Sequence, residues 1–183
     1  MDLPEQSAPV SRVLTLWSPE SIGNPVRGAG REALGSIASI AWTANNLAYY
    51  YPFRLTTHET AYQLLFWVGA TSSGNIDVGI YDDQYKRIVS AGTTAMSATV
   101  NTVQELNIAD TALKPGNYFL GASCSTTAGT TFGVIMNDEW AMSALQIYEQ
   151  ATALPLPDPA VPVLTTQGSC LLVAIGIQFH TAF

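Results

Sequence analysis

The stretch Tyr62–Asp83, Y-Q-L-L-F-W-V-G-A-T-S-S-G-N-I-D-V-G-I-Y-D-D, constrains this chain more than any other. Tyr62, Leu64, Phe66 and Val68 share one face at period two, and Ile76, Val78 and Ile80 do the same further on. Between them, Thr71-Ser72-Ser73-Gly74-Asn75 are residues that accept tight or positive-φ geometry. The pattern predicts two β-strands joined by a short turn, an antiparallel hairpin. Leu65 and Trp67 make the second face of the first strand apolar as well. That strand is therefore expected to be covered on both sides, by another sheet, by the N-terminal segment or by a neighbouring molecule.

Similar alternation recurs along the chain. Strands are expected around Ile37–Trp42, Leu47–Leu55, Lys86–Gly92, Thr102–Ile108, Tyr118–Ala122, Thr131–Met136 and Leu171–Phe179, with a short one at Leu145–Tyr148. Pro52 marks its strand as an edge or a bulge, because proline donates nothing to a ladder. Leu113-Lys114-Pro115-Gly116-Asn117 reads as a type II turn. The last strand puts Leu171, Val173, Ile175, Ile177 and Phe179 on one face and must be central or covered. Residues 154–162, L-P-L-P-D-P-A-V-P, favour an extended polyproline II crossing. Eight or nine strands, no useful amphipathic helix and a long return connection near 150–169 predict an all-β, antiparallel, jelly-roll-like β-sandwich. Residues 1–35 are punctuated by Pro, Gly and Ser and read as an extended N-terminal arm, leaving 36–183 as the sandwich domain. The arm either wraps its own domain or grips a neighbour, and Val13-Leu14-Thr15-Leu16-Trp17 within it has the composition to pair as a strand.

Charge narrows the function. Of 183 residues, 11% are charged, with seven Lys plus Arg and a net charge of −7. Nucleic-acid binding needs a basic patch, and an anionic membrane needs the same. No apolar run is long enough to span a bilayer, and the first residues, M-D-L-P-E-Q, have neither the basic nor the apolar region of a secretory signal. A surface so poor in charge gives little protection against association, which fits either burial in an assembly or a weakly charged, Thr-rich β-protein. Cys124 and Cys170 sit in apolar strand contexts and read as free buried thiols, with a disulfide as the alternative.

Candidates for chemistry are few. Asp77, Asp82, Asp83, Asp138 and Glu139 are the acids that paired-carboxylate hydrolysis would use, and a calcium site would use Asp77, Asp82 or Asp83 with turn carbonyls, yet Asp82-Asp83 lies where Asp caps its own turn. His58 and His180 lack a neighbouring nucleophile-and-acid motif. No catalytic, cofactor-binding or metal-ligating residue is therefore assigned. Trp17, Trp42, Trp67, Trp140 and Tyr49-Tyr50-Tyr51 have the chemistry of a sugar-stacking platform, and equally that of core or interface.

Three segments carry a resemblance. W-T-A-N-N-L-A-Y-Y-Y-P-F-R-L, G-A-T-S-S-G-N-I-D-V-G-I-Y-D and L-K-P-G-N-Y-F-L-G-A, spread over Trp42–Ala122, resemble β-sandwich virion proteins of tailed bacteriophages. The resemblance implies a non-enzymatic structural protein of the particle, assembled in the host cytoplasm and decorating or cementing the capsid. Its partners would be the major capsid protein or tail proteins and further copies of itself, as a homo-oligomer, most simply a trimer. The alternative is a tail-associated receptor- or glycan-binding module using aromatics with Asp77 or Asp82. The shared positions Gly74, Asn75, Asp77, Gly79, Pro115 and Gly116 look like fold determinants. On the first reading Val13, Leu14, Leu16, Trp17, Arg27 and Arg31 are expected to make lattice contacts, and Tyr49, Tyr51 and Trp67 subunit contacts.

Overall fold

The computed structural model describes residues 12–15, 38–136, 145–165 and 170–180, with the backbone alone at 12–15, 136, 170 and 171. The strands are β1 (Arg12–Thr15), β2 (Ala38–Ala41), β3 (Leu47–Leu55), β4 (Glu59–Val68), β5 (Asn75–Asp82), β6 (Arg87–Ser90) and β7 (Thr94–Ala95). They continue with β8 (Thr102–Leu113), β9 (Gly116–Cys124), β10 (Thr130–Met136), β11 (Tyr148–Gln150), β12 (Val163–Leu164), β13 (Cys170–Val173) and β14 (Ile175–His180).

Four antiparallel pairs are nested in sequence. β5 pairs with β6, β4 with β8, β3 with β9, and β1 with β14. Successive pairs alternate between two sheets. The first sheet runs β1-β14-β4-β8 and the second β3-β9-β5-β6. This is a jelly roll: a long antiparallel ribbon rolled so that its two halves face each other. β10, β2 and β13 extend the first sheet, while β11 and β12 extend the second beyond β3 and β7 adds to β5.

The inner faces meet in one core. Leu64, Phe66 and Val68 of β4 and Ile175, Ile177 and Phe179 of β14 pack towards Tyr49, Tyr51 and Phe53 of β3, Ile76, Val78 and Ile80 of β5 and Leu120 of β9. These are the period-two positions of each strand, so local pattern and global fold agree. Each fully buried Leu, Ile or Phe contributes ~1.5–3 kcal/mol by leaving water.

Several expectations change. β4 and β5 are no hairpin: they lie in different sheets, and residues 69–74 carry the chain across the sandwich. Their apolar faces oppose each other through the core instead of lying side by side. Gly74 makes the crossing possible at φ 78°, a left-handed conformation that suits glycine. Pro52 sits in an interior strand. Among the described residues, though, β11 accompanies β3 only along Ala48–Tyr50, so Pro52 falls where that side is open. Gly116 is not left-handed, so the connection between β8 and β9 is not type II. Tyr118 instead steadies it by donating its hydroxyl to the Lys114 carbonyl at 2.7 Å. Within the stretch read as an arm, the segment with the composition of a strand does pair: the β1 backbone lies on its own domain's β14 from Arg12↔Phe179 to Thr15↔Gly176. The sandwich thus begins before residue 36. The terminal apolar stretch, expected as one strand over Leu171–Phe179, divides at Ala174: β14 is central, between β1 and β4, while β13 pairs with β10 at the end of the sheet path.

Candidate functional site

The most elaborated surface is the outer face of the second sheet. Its three central strands present a grid at alternate positions: Ala48, Tyr50 and Pro52 from β3, Ser123, Gly121 and Phe119 from β9, and Asp77, Gly79 and Tyr81 from β5. Gly121 and Gly79 are direct neighbours in this grid, and together they form a trough. A β-carbon on Gly121 would meet the Tyr50 and Tyr81 rings at 3.1 Å, and one on Gly79 would meet Leu156 at 3.2 Å. Tyr50 and Tyr81 meet edge to face with centroids 5.2 Å apart. Tyr85, from the turn after β5, stacks on Phe119 at 4.6 Å, and Tyr148 of β11 closes the ring of aromatics. Tyr85 holds φ 59°, uncommon for a bulky residue, and that conformation carries its ring onto the face.

A loop fills the trough. Residues 151–162 join β11 to β12, which pair with each other, so the loop leaves and returns at one place as an Ω-loop does. Ala153, Leu156 and Ala160 are its buried anchors and pack with Ala48, Tyr50 and Tyr81 into a second, smaller core. The expected polyproline II crossing is replaced by a bent course in which Leu154–Pro155 and Asp158–Pro159 are cis.

The sheet holds this loop through its backbone. Asp77 Oδ2 accepts the Leu156 N–H at 3.0 Å, and its Oδ1 accepts the Ser90 hydroxyl at 2.7 Å. Tyr81 donates to the Pro157 carbonyl at 2.8 Å, and the Arg87 guanidinium donates to the Leu156 carbonyl. The Arg87 amide donates to Asp158 at 3.1 Å, and Ala160 N–H donates to the Tyr85 carbonyl at 2.9 Å. Asp77 is wholly buried. Burial pushes its carboxyl above the usual range against the pull of Ser90, the Leu156 amide, Arg87 and the Gly92 amide. Burial likewise raises the phenols of Tyr50, Tyr81 and Tyr85, so all three remain donors at physiological pH. Between β6 and the loop lies an open groove of about 420 Å³ bordered by Asp77, Arg87, Ser90 and Asp158, whose polar groups already bond one another or the loop.

Among the described residues, the acids singled out from the sequence are not brought together. Asp77 and Asp82 are five residues apart on one extended strand and point to opposite faces. Asp82 Oδ1 accepts the amides of Gln84 and Lys86, the turn-capping role expected of it. Asp83 is exposed, and Asp138 and Glu139 lie outside the described residues. Among the described residues no three His, Cys, Asp or Glu side chains gather as a metal ion would require. His58 is exposed in the turn between β3 and β4. His180 stacks on Tyr62 at 4.2 Å and approaches Asp110 at 3.4 Å on the surface.

The aromatic assignments are revised. Tyr49 and Tyr51, expected at subunit contacts, are 1% and 2% exposed inside the chain's own core, which leaves no ring surface for a neighbour. Trp42 is buried with them and donates its indole N–H to the Leu47 carbonyl at 2.7 Å. Trp67 stays half-buried on the outer face of the first sheet, next to Val103 of β8. Leu65 on that same outer face is buried, as its apolar second face predicted. Val13 and Leu14 contribute backbone to β1, while Leu16, Trp17, Arg27, Arg31 and Trp140 lie outside the described residues. Cys124 is a free buried thiol, raised in pKa by burial.

Arg87, Ser90, Tyr85, Phe119, Tyr148 and Leu156 went unnoticed in the sequence. The available signal was D-x-G-x-Y at Asp77, Gly79 and Tyr81, three outward positions that all serve the loop. Fold and surface together define an antiparallel jelly-roll sandwich with a loop-covered outer face. Compared with family models, curated proteins and solved structures, the chain matches none. Among the described residues no helix is long and apolar enough to cross a membrane.

Proposed function

We propose that the chain is a non-enzymatic structural protein of a tailed-bacteriophage virion, decorating or cementing the capsid surface as a homo-oligomer, most simply a trimer. One observation carries this reading. The three segments that resemble phage virion proteins fall on β3, β9 and β5, which are consecutive neighbours in the second sheet. Likeness scattered over the sequence is thus gathered into one structural unit. The low charge content, 11%, agrees with a surface used for association. The partners on this reading are the major capsid protein and other copies of the chain. Stable seating would need a contact of about 2,000 Å² or more.

Trp67 favours a second reading. A half-buried indole beside Val103, itself 36% exposed, is a surface on which a sugar ring can stack, as a tail-associated receptor- or glycan-binding module requires.

The two readings separate on the particle. An antibody against the chain should label purified virions of the phage whose genome encodes it, and the chain should co-sediment with heads freed of tails. Label confined to tails, with adsorption to host cells lost in Trp67→Ala particles, would instead establish the receptor-binding reading. Purified virions without label would end both.

A further inference from the structure

We infer that the outer face of the second sheet is a peptide-binding cradle for proline-rich segments, and that the Ω-loop at 151–162 is its built-in occupant. The inference stands apart from the virion reading, because it rests on how the loop is held. The loop's buried side chains, Ala153, Leu156 and Ala160, are only part of what holds it. Here the sheet also recognises main chain: a carboxylate takes a peptide N–H, a phenol and a guanidinium reach peptide carbonyls, and the Tyr85 carbonyl takes a second N–H. Beneath these lies a floor of aromatic rings, Tyr50, Tyr81, Tyr85, Phe119 and Tyr148, with one apolar notch over Gly79 that receives Leu156. Aromatic floor, hydroxyl donors to peptide carbonyls and one pocket for an aliphatic residue are the working parts of proline-rich peptide recognition.

The loop's sequence fits that role. L-P-L-P-D-P-A-V-P has prolines at 155, 157, 159 and 162, so four of its nine residues carry no N–H. Of the N–H groups it does have, Leu156 and Ala160 meet acceptors on the sheet side, and Val161 meets Gln150 at the loop's own base. The rings of the floor stand on strands and on a turn outside residues 151–162, placed by β-strand alternation and by the left-handed Tyr85. On this inference the cradle persists when the loop leaves, and a segment of matching chemistry can take its place: a proline-rich peptide able to follow the loop's bent course, with an aliphatic residue flanked by prolines.

The test uses two preparations. In the first, residues 153–162 are replaced by a Gly-Ser linker of equal length, and folding is checked by circular dichroism. A synthetic peptide of the 153–162 sequence is then titrated by calorimetry. Saturable binding is expected, weakened about tenfold or more when the peptide carries Leu156→Asp, and weakened several-fold by Tyr81→Phe in the protein. The intact chain should not bind the peptide, since its own loop is in place. A folded, loop-replaced chain that ignores the peptide at millimolar concentration overturns the inference. So does one that captures the intact chain as a stoichiometric dimer, because the occupant is then the loop of a second copy. The second preparation is the intact chain, studied by native-state hydrogen exchange. The Leu156 and Ala160 amides should open locally, with protection about tenfold or more below that of Val78 and Leu120. Equal protection would make the loop an inseparable part of the core and would refute the inference even if the replaced chain failed to fold.

Discussion

Asp77 offers the sharpest test of how the loop is anchored. Replacing it with alanine strips an acceptor from the Leu156 N–H, a buried donor at 3.0 Å, and from the Ser90 hydroxyl at 2.7 Å. An unsatisfied buried donor costs ~1–3 kcal/mol. Ser90 is half-buried and can turn towards water, so its share is small. Alanine also removes a carboxylate that burial disfavours, which offsets part of the loss. The expected net destabilisation of Asp77→Ala is ~2 kcal/mol, or ~4–8 °C in Tm for a chain of this size. Asp77→Asn keeps an acceptor for Leu156 and presents its amide to Ser90, so it should stay within ~1 kcal/mol of the parent. The pH dependence follows from the direction of the shift. The folded pKa is raised above the ordinary 3.8, so the folded state holds its proton more tightly than the unfolded state. Stability from this group is fully present below pH 3.8 and is lost as pH rises through the folded pKa. Thermal melts of the parent and Asp77→Asn across this range isolate the term, because the raised Glu149 titrates in both. The parent's advantage over Asp77→Asn should shrink as pH rises. An advantage that grows with pH, or an Asp77→Ala protein that melts within a degree of the parent at neutral pH, would refute the reasoning.

Other substitutions probe the rest of the frame. Gly121→Ala would drive a methyl against the Tyr50 and Tyr81 rings, which lie 3.1 Å from its β-carbon, and should cost ~1–3 kcal/mol in urea unfolding. Phe66→Ala empties a fully buried site in the main core and should cost ~3–5 kcal/mol by the same assay. Cys124 should resist a thiol reagent in the native state and react on unfolding, since burial both shields the sulfur and raises its pKa. His180→Ala should cost about 1 kcal/mol, nearly all of it from the ring stacked on Tyr62, because the 3.4 Å contact with exposed Asp110 is long and weak.

The strands were legible because alternation is a local property. Leu64, Phe66 and Val68 mark an inner face wherever β4 lies, and so do Ile76, Val78 and Ile80 for β5. Which sheet a strand joins is not local. A six-residue link containing Gly74 serves a hairpin or a crossing equally well, so the link from β4 to β5 was misread. Tyr49, Tyr50 and Tyr51 misled for a related reason. Three consecutive aromatics on a strand imply that one of the two faces looks outward, and Tyr50 does, but the loop then covers it. Asp77 was recognised as a fold determinant, although its reason was hidden. Its partner, Leu156, is 79 positions away and joins through a backbone N–H that no side-chain pattern reveals. Asp77 and Asp82, candidate acids five residues apart on β5, are sent to opposite faces by the same alternation that made the strand visible.

The nesting of the strand pairs also sets an order of assembly. β5 and β6 are close in the chain and can meet early, whereas β1 and β14 sit at opposite ends of the described residues. Loop-closure entropy makes the outermost pair the slowest to form. During synthesis β1 emerges well before its partner. Until β14 arrives, the β4 edge it will occupy is an open ladder with Leu64 and Phe66 beside it. Such an edge is the kind on which chains stick to one another. A jelly roll of this connectivity is thus most exposed to aggregation just before it closes, and the strand that shields it is the last of the described strands to emerge.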